Sequence, residues 1–329
     1  VRRGLTPVLA GRSREKVTAL ANELKLEARA FGLDTPEQIA LELKGIDLVM
    51  HCAGPFSIPA APMMAACIAA GAHYLDITGE ISVFEHAQTL NLQARQKGIV
   101  ICPGVGFDVI PTDCVAAALK AALPDATHLS LGFDADSSLS PGTAKTSVEG
   151  LAQGGKVRRN GRIVTVPLAY EVRRIDFGNG IRHAMTIPWG DVATAYHTTG
   201  IPNIEVFIPG SLPMIYGAKA ANLARPLLAL TPVQRALKAG MDKLITGPDD
   251  EKRAGKATYV WGEARNAKGE IKTARVRTEN VYSLTITGSL AVIEHLMKTR
   301  PDGGAYTPAK LVGAHLVTTL PGSGAMQIS

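Results

Sequence analysis

Short apolar runs alternate with amphipathic stretches through the first 125 residues. The apolar runs predict strands at residues 6–10, 27–31, 47–52, 73–77 and 99–102. The stretches between and after them predict helices at residues 14–24, 36–43, 59–70, 82–97 and 111–122. Strands that are almost continuously apolar, as at Ile46–Met50, are typical of a parallel sheet covered by helices on both faces. The pattern therefore predicts a doubly wound α/β arrangement.

From about residue 126 the pattern changes to longer stretches rich in Val, Ile, Thr and Tyr. Turns at Asn160-Gly161, 178–180 and 266–269 predict hairpins, because Asn-Gly and Gly-rich pairs suit the turns that join antiparallel strands. This part of the chain is therefore expected to hold a mixed or antiparallel sheet.

Helices interrupt the second half near residues 143–153 and 212–245, and the chain returns to helix after Glu279. We expect two domains. The doubly wound domain spans residues 1–125 and is completed by C-terminal helices of 279–329, and residues 126–278 form a substrate or dimerisation domain.

Composition narrows the class of protein. The 329 residues are 46% hydrophobic and carry a formal net charge of +6, with basic residues in short clusters such as Lys156–Arg162. No nucleic-acid-binding motif accompanies that charge, so no nucleic acid partner is expected. No apolar run reaches the roughly 20 residues that span a bilayer, so no transmembrane segment is expected.

The cysteines Cys52, Cys67, Cys102 and Cys114 have no Cys-x-x-Cys spacing. They suggest buried thiols in a reducing compartment, hence a cytoplasmic protein without a bound metal. Residues 1–4 have the pattern of a helix end with Gly4 as its stop signal. We therefore expect that a strand and a glycine-rich phosphate-binding turn precede Val1 in the full-length protein.

The loop Gly11-Arg12-Ser13-Arg14 follows the first predicted strand. In a doubly wound sheet, ligands lie beyond the carboxyl ends of the strands. NAD-preferring domains commonly have an acidic residue here for the ribose hydroxyls, whereas Arg and Ser can hold the 2′-phosphate of NADP. The loop predicts NADP(H), preferred over NAD(H). The alternative is that Ser13 only caps the next helix and the arginines are solvated.

Three later loops also place small residues directly after predicted strands. Small residues let a flat ligand approach the backbone closely, although each loop alone could be a structural turn. The candidate cofactor-binding residues in these loops are Ala53, Gly54, Pro55, Phe56, Thr78, Gly79, Gly104 and Gly106.

These segments resemble the saccharopine dehydrogenase-like oxidoreductases, a family that includes trans-acting enoyl reductases. The matching stretches are Ala10–Ser13, Ala53–Phe56, Tyr74–Glu80 and Gly106–Asp113. The resemblance implies an N-terminal Rossmann domain that binds NAD(P) and a second α/β domain that carries the substrate. It also implies C-terminal helices that pack on the first domain.

Hydride transfer needs an acid or base near the reacting carbon. The candidates for this role are Asp108, Asp191, Tyr196 and His197, and each has the alternative of a structural hydrogen-bonding or capping role. The candidate substrate-binding residues are Thr143, Trp189 and Asn203. We expect the substrate between the loop 104–108 and the segment 189–203.

The leading hypothesis is an NADP(H)-dependent oxidoreductase that reduces an unsaturated acyl or a carbonyl or imine substrate, and that forms a homodimer. The apolar stretch Leu212–Leu230 suits a lipid-like small-molecule substrate, but a buried core helix or a dimer face explains it equally well. Two other functions stay open: a non-catalytic NADP-binding sensor or scaffold, and a dehydrogenase that forms C–N bonds of amino acids.

Overall fold

The computed structural model describes residues 4–135, 150, 152–228, 230–235 and 257–329. The chain divides into two compact units. The smaller unit comprises Val1–Asp76, His86–Ile101 and Asp302–Ala305, and the larger unit comprises Ile77–Glu85, Cys102–Pro301 and Tyr306–Ser329. This division differs from the expected boundaries near residues 125 and 279, so the functional domain boundaries stay a prediction.

The smaller unit has parallel strands. They are β1 Leu9–Gly11, β2 Ala28–Ala30, β3 Leu48–His51, β4 His73–Asp76, β5 Val100–Cys102 and β14 Gly304–Ala305. β1 and β2 pair with each other, and the other four form a sheet in the order β14-β5-β4-β3. The β1–β2, β3–β4 and β5–β14 pairs are all parallel.

Helices follow these strands in the predicted alternation. They are α1 Arg14–Leu24, α2 Pro36–Glu42, α3 Ala60–Ala70, α4 Ile81–Thr89 and α5 Asn91–Lys97. The expectation of one helix over 82–97 is wrong, because a tighter turn with a hydrogen bond between residues three apart interrupts the helix at Leu90. Leu90 donates its N–H to the carbonyl of Ala87 three residues back, and the Thr89 hydroxyl donates to the carbonyl of His86. Such tightening ends one helix before the next begins.

The larger unit is built on a nine-stranded mixed sheet. Its strands are β6 Ala126–Ala135, β7 Gly155–Arg159, β8 Arg162–Val166, β9 Val172–Asp176, β10 Ile181–Thr186, β11 Asn203–Pro209, β12 Thr258–Asn266, β13 Ile271–Thr278 and β15 Gln327–Ile328. The strand order is β15-β13-β12-β6-β11-β10-β9, and β7 pairs with β11 and β8. The three predicted hairpins are confirmed as the antiparallel pairs β7–β8, β9–β10 and β12–β13.

Helices of the larger unit support this sheet. They are α6 Ile110–Ala122, α7 Asp191–Thr199, α8 Leu212–Ala221, α9 Arg225–Leu228, α10 Val281–Thr299, α11 Pro308–Val312 and α12 Leu316–Thr319. α6 packs on β6, β12 and β13. The helix lies close to the backbone of β12 at Gly262, where an added Cβ would lie 2.5 Å from Val115 and 2.8 Å from Leu119. A glycine is therefore required there for the helix to reach the sheet.

The stretch Leu212–Leu230 is a broken helix on the surface. α8 ends at Asn222, whose side-chain amide binds the backbone N–H and carbonyl of Leu168, and Pro226 then removes a backbone donor. The side chains of Leu212, Met214, Tyr216, Leu223, Leu227 and Leu230 are exposed. The interpretation as a buried core helix is therefore wrong. The predicted helix residues 143–149 and 236–245 lie outside the described residues.

No helix in the described part of the chain is both long enough and apolar enough to cross a membrane. The longest, α10, begins at Asn280, whose side chain accepts from the N–H groups of Tyr282 and Ser283.

Candidate functional site

The β1–α1 loop presents two exposed arginines at a helix N-terminus. Ser13 caps α1, with its hydroxyl oxygen 3.4 Å from the backbone N of Lys16, as the structural alternative proposed. Arg12 and Arg14 flank this cap and are exposed. Within the described residues, neither guanidinium has a hydrogen-bond or ion-pair partner. Both are therefore available to an anion, beside backbone N–H groups that also attract negative charge.

A buried polar chain lies at the carboxyl ends of β3 and β4. The Nδ1 atom of His51 is 3.2 Å from the hydroxyl of Tyr74, which donates to Oδ2 of Asp76 at 2.6 Å. The His51 ring also contacts the edge of Phe56, with centroids 5.3 Å apart, in the loop that contains the cis Gly54-Pro55 peptide. Sequence reasoning did not single out His51 or Tyr74. The available signal was a histidine as the last residue of an apolar strand.

In the larger unit, the loop 104–108 contacts the segment 189–203, and the substrate position expected between them stays a prediction. The indole N–H of Trp189 donates to the backbone carbonyl of Asp108 at 3.0 Å. The Trp189 ring packs on Phe133, with centroids 5.1 Å apart, and Phe133 packs on Phe107 at 5.4 Å. Asp108, Phe133 and Trp189 are all half-buried. The result is a half-buried aromatic wall of Phe133 and Trp189 next to the backbone of Asp108.

The glycines around this wall are explained by close packing within the protein. An added Cβ at Gly79 would lie 2.8 Å from Oδ2 of Asp108. At Gly104, which has a φ of +75°, it would lie 2.6 Å from Val109, and at Gly106 it would lie 3.0 Å from Thr285. These contacts do not require a ligand. The cofactor role predicted for Gly79, Gly104 and Gly106 therefore stays a prediction.

Thr78, the other cofactor candidate of this region, is buried and closes a local turn. Its hydroxyl oxygen accepts from the backbone N–H of Glu80 at 3.0 Å. A hydroxyl used in this way fixes the backbone that leads to Gly79.

Asp108 and Asp191 differ in their surroundings. Burial raises the pKa of Asp108 to about 6. Asp191 is completely buried at the start of α7, and burial, reinforced by the nearby carboxylates, raises its pKa well above the usual range. Oδ1 of Asp191 accepts from the Thr112 hydroxyl at 2.6 Å, and within the described residues Oδ2 has no hydrogen-bond partner. Asp191 is therefore a completely buried carboxyl group with a raised pKa, whereas Asp108 is half-buried.

Tyr196 and His197 belong to a packed ionic network. The buried Arg158 guanidinium lies 4.2 Å from the centroid of the Tyr196 ring and donates to Oε1 of Glu85 at 2.8 Å. The same Glu85 oxygen is 3.0 Å from Nε2 of His197. The hydrogen bond with His197, followed by the charge of Arg158, lowers the pKa of Glu85. These contacts favour the structural alternative for both residues.

The remaining substrate candidates have other positions. Asn203 donates its side-chain amide to the carbonyl of Thr127 at 2.9 Å and accepts from the N–H of Asn160 at 3.0 Å, so it ties a hairpin turn to the sheet. Thr143 lies outside the described residues. No group of three or more potential metal ligands comes together within the part of the chain that the structure describes.

Comparison with known proteins agrees with the motifs. Residues 2–102 match the family described as the saccharopine dehydrogenase NADP binding domain. This region is similar in sequence to that domain family. Among curated relatives, the human saccharopine dehydrogenase-like oxidoreductase is 32% identical over 117 residues. A trans-acting enoyl reductase of Mycobacterium bovis is 33% identical over 111 residues.

Each of these two matches covers 32% of this chain and 27% of the relative. The saccharopine dehydrogenase-like region thus aligns with about a quarter of the length of its curated relatives. Over the whole chain, the fold is similar to saccharopine dehydrogenase (L-Glu forming) from Saccharomyces cerevisiae. The TM-score is 0.58 at 13% identity, with 98% of this chain and 94% of the yeast chain covered. The Rossmann-type fold with a second, mixed sheet is therefore confirmed.

Proposed function

We propose that the protein is an NADP(H)-dependent oxidoreductase that prefers NADP(H) to NAD(H). The observation that carries this proposal is the pair of exposed guanidinium groups of Arg12 and Arg14 at the N-terminus of α1, which have no hydrogen-bond or ion-pair partner among the described residues. Arginine is suited to bidentate binding of phosphate, and the helix terminus adds backbone donors and a favourable dipole. The family match of residues 2–102 supports a dinucleotide ligand for this unit.

The experiment is a calorimetric titration of NADPH and NADH into wild-type protein and the Arg12→Ala variant. Loss of a charge-assisted hydrogen bond should weaken NADPH binding by about 1.5 to 3 kcal/mol and leave NADH binding nearly unchanged. Arg95→Ala, on the exposed surface of α5, is the control for the loss of one positive charge. Equal losses for the two cofactors would show that Arg12 does not bind the 2′-phosphate.

We further propose that the substrate lies against Phe133 and Trp189, with Asp108 as the general acid. A carboxyl group whose pKa is about 6 is partly protonated near neutral pH, as proton transfer to a substrate requires. Asp108 is half-buried and its backbone carbonyl accepts from the indole N–H of Trp189, whereas Tyr196 and His197 are engaged with Arg158 and Glu85. An unsaturated acyl, carbonyl or imine group is the proposed substrate.

The exposed apolar side chains of Leu212–Leu230 support a lipid-like substrate or a contact with a second copy of the chain. The homodimer and the cytoplasmic location stay predictions. A panel of enoyl thioesters, aldehydes and imines, each tested with NADPH, separates the proposed reductions from C–N bond formation. Tight NADPH binding without oxidation by any member of that panel would instead indicate a sensor or scaffold.

A further inference from the structure

We propose that Nε2 of His51 accepts a hydrogen bond from the bound dinucleotide, and that Tyr74 and Asp76 hold His51 in the tautomer that makes this possible. The inference rests on the proposed function, because it assigns a contact within the dinucleotide site.

The three side chains lie on one face of the parallel sheet. His51 and Asp76 are register partners at the last positions of β3 and β4. Tyr74 precedes Asp76 by two residues, and side chains two apart along a strand point to the same face. The group therefore stands at the carboxyl edge of these strands, the edge at which dinucleotides lie in doubly wound folds.

The hydrogen-bond chain determines where the protons are. Tyr74 has a single hydroxyl proton, which it donates to Oδ2 of Asp76 at 2.6 Å. Burial, and then the negative charge of Asp76, raise the pKa of Tyr74 well above its usual range, so this proton stays on the phenol. The hydroxyl oxygen can then only accept from His51, so Nδ1 of His51 must carry a proton.

The second nitrogen of His51 is consequently an acceptor. Burial lowers the pKa of His51 to about 4, against a smaller upward effect of a backbone hydrogen bond with Ala53. The ring is therefore neutral at physiological pH, with its one proton on Nδ1. His51 is 4% exposed, and Nε2 has no hydrogen-bond partner within the described residues.

A buried acceptor without a donor is unfavourable, so a ligand that supplies a donor gains affinity. The nicotinamide nucleoside, which is identical in NADPH and NADH, offers suitable donors in its ribose hydroxyls and in its carboxamide. The phosphate oxygens of the dinucleotide are acceptors and would not satisfy Nε2. The contact therefore recognises the nicotinamide nucleoside of the ligand and not its phosphates. Its contribution to affinity should be the same for NADPH and NADH.

The test combines binding and nuclear magnetic resonance. Because His51→Phe keeps a ring and removes both nitrogens, it should weaken NADPH and NADH binding equally, by about fivefold to tenfold for one lost hydrogen bond. His86→Phe, in the same unit, is the control substitution. In wild-type protein, the ¹⁵N spectrum should show Nδ1 protonated, Nε2 bare, and a shift of Nε2 when NADPH is added. Tyr74→Phe should abolish this single-tautomer pattern.

Unchanged dissociation constants in a folded His51→Phe variant would overturn the inference while the proposed function stood. A wild-type spectrum with the proton on Nε2 would also overturn it, and that measurement does not depend on any variant folding. Failure of the wild-type protein to bind either dinucleotide would overturn the proposed function itself.

Discussion

Asp113 offers the sharpest test of the electrostatic reasoning, because its carboxyl group is completely buried outside the proposed substrate site. It accepts hydrogen bonds from the Thr198 hydroxyl and from the backbone N–H of Ala309, the latter at 2.8 Å. Burial raises its pKa to about 6 in spite of these donors. An Asp113→Asn variant can keep both contacts, since Oδ1 accepts from Ala309 while the amide donates to a rotated Thr198 hydroxyl.

The expected magnitude follows from linkage between protonation and folding. The usual pKa of 3.8 rises to about 6 in the folded state. The folded protein therefore binds the proton more tightly than the unfolded chain, so this contribution to stability is complete below pH 3.8 and is lost as the pH rises to about 6. A shift of about two pKa units at 1.36 kcal/mol each corresponds to about 3 kcal/mol in total, of which about 2.5 kcal/mol falls between pH 4 and 7.

Urea unfolding of wild-type protein and of Asp113→Asn at several pH values measures this contribution directly. Relative to wild type, the free energy of unfolding of the variant should rise by about 2.5 kcal/mol between pH 4 and 7 and then stay constant. Asp125→Asn, at an exposed position before β6, is the comparison for removal of one negative charge. Parallel pH profiles for wild type and Asp113→Asn would refute the claim that burial of this carboxyl group dominates its hydrogen bonds.

Two further predictions concern catalysis and packing. Asp108→Asn should lower turnover by about a hundredfold or more without changing cofactor affinity, whereas His197→Ala should lower the melting temperature with no selective loss of turnover. The reverse outcome, measured by steady-state kinetics and thermal unfolding, would transfer the acid role to His197. Gly262→Ala should destabilise by about 1 to 3 kcal/mol through overpacking against Val115 and Leu119. Gly217→Ala, inside α8 with no atom within 4 Å of the added Cβ, should instead stabilise by about 0.5 to 1 kcal/mol.

The strand and helix order could be predicted from the sequence because each element carries its own local signal. The alternation of elements through α6 and the three hairpins depend on hydrophobic period and on turn residues, which act over a few positions. The break at Leu90 has no such signal, since no glycine or proline marks it. The surface position of Leu223 was not predictable either, because apolar content alone does not say which elements cover a helix.

The candidate site was predictable where a residue follows a strand and not where its role depends on distant partners. The segments of Asp108 and Trp189 were predicted to flank the substrate, because the first follows a strand and the second is rich in polar residues, and the structure brings these two residues into contact. The engagement of His197 was hidden, because Glu85 lies 112 residues earlier in the chain. Phe133 was also missed, because an aromatic residue in a strand does not by itself show which aromatic side chains of other segments pack against it.

The three carboxyl groups Asp108, Asp113 and Asp191 explain why only one of them suits proton transfer. Burial, and then the negative charges of Asp113 and Asp108, raise the pKa of Asp191, which favours the neutral form of that buried group. Asp108 owes its raised pKa to burial alone, so neutralising either of the others should leave its titration in place. If Asp108 is the general acid, turnover should fall as the pH rises through about 6. That step should persist in Asp113→Asn and disappear in Asp108→Asn, and its loss in Asp113→Asn would mean that the proton belongs to a coupled pair rather than to Asp108.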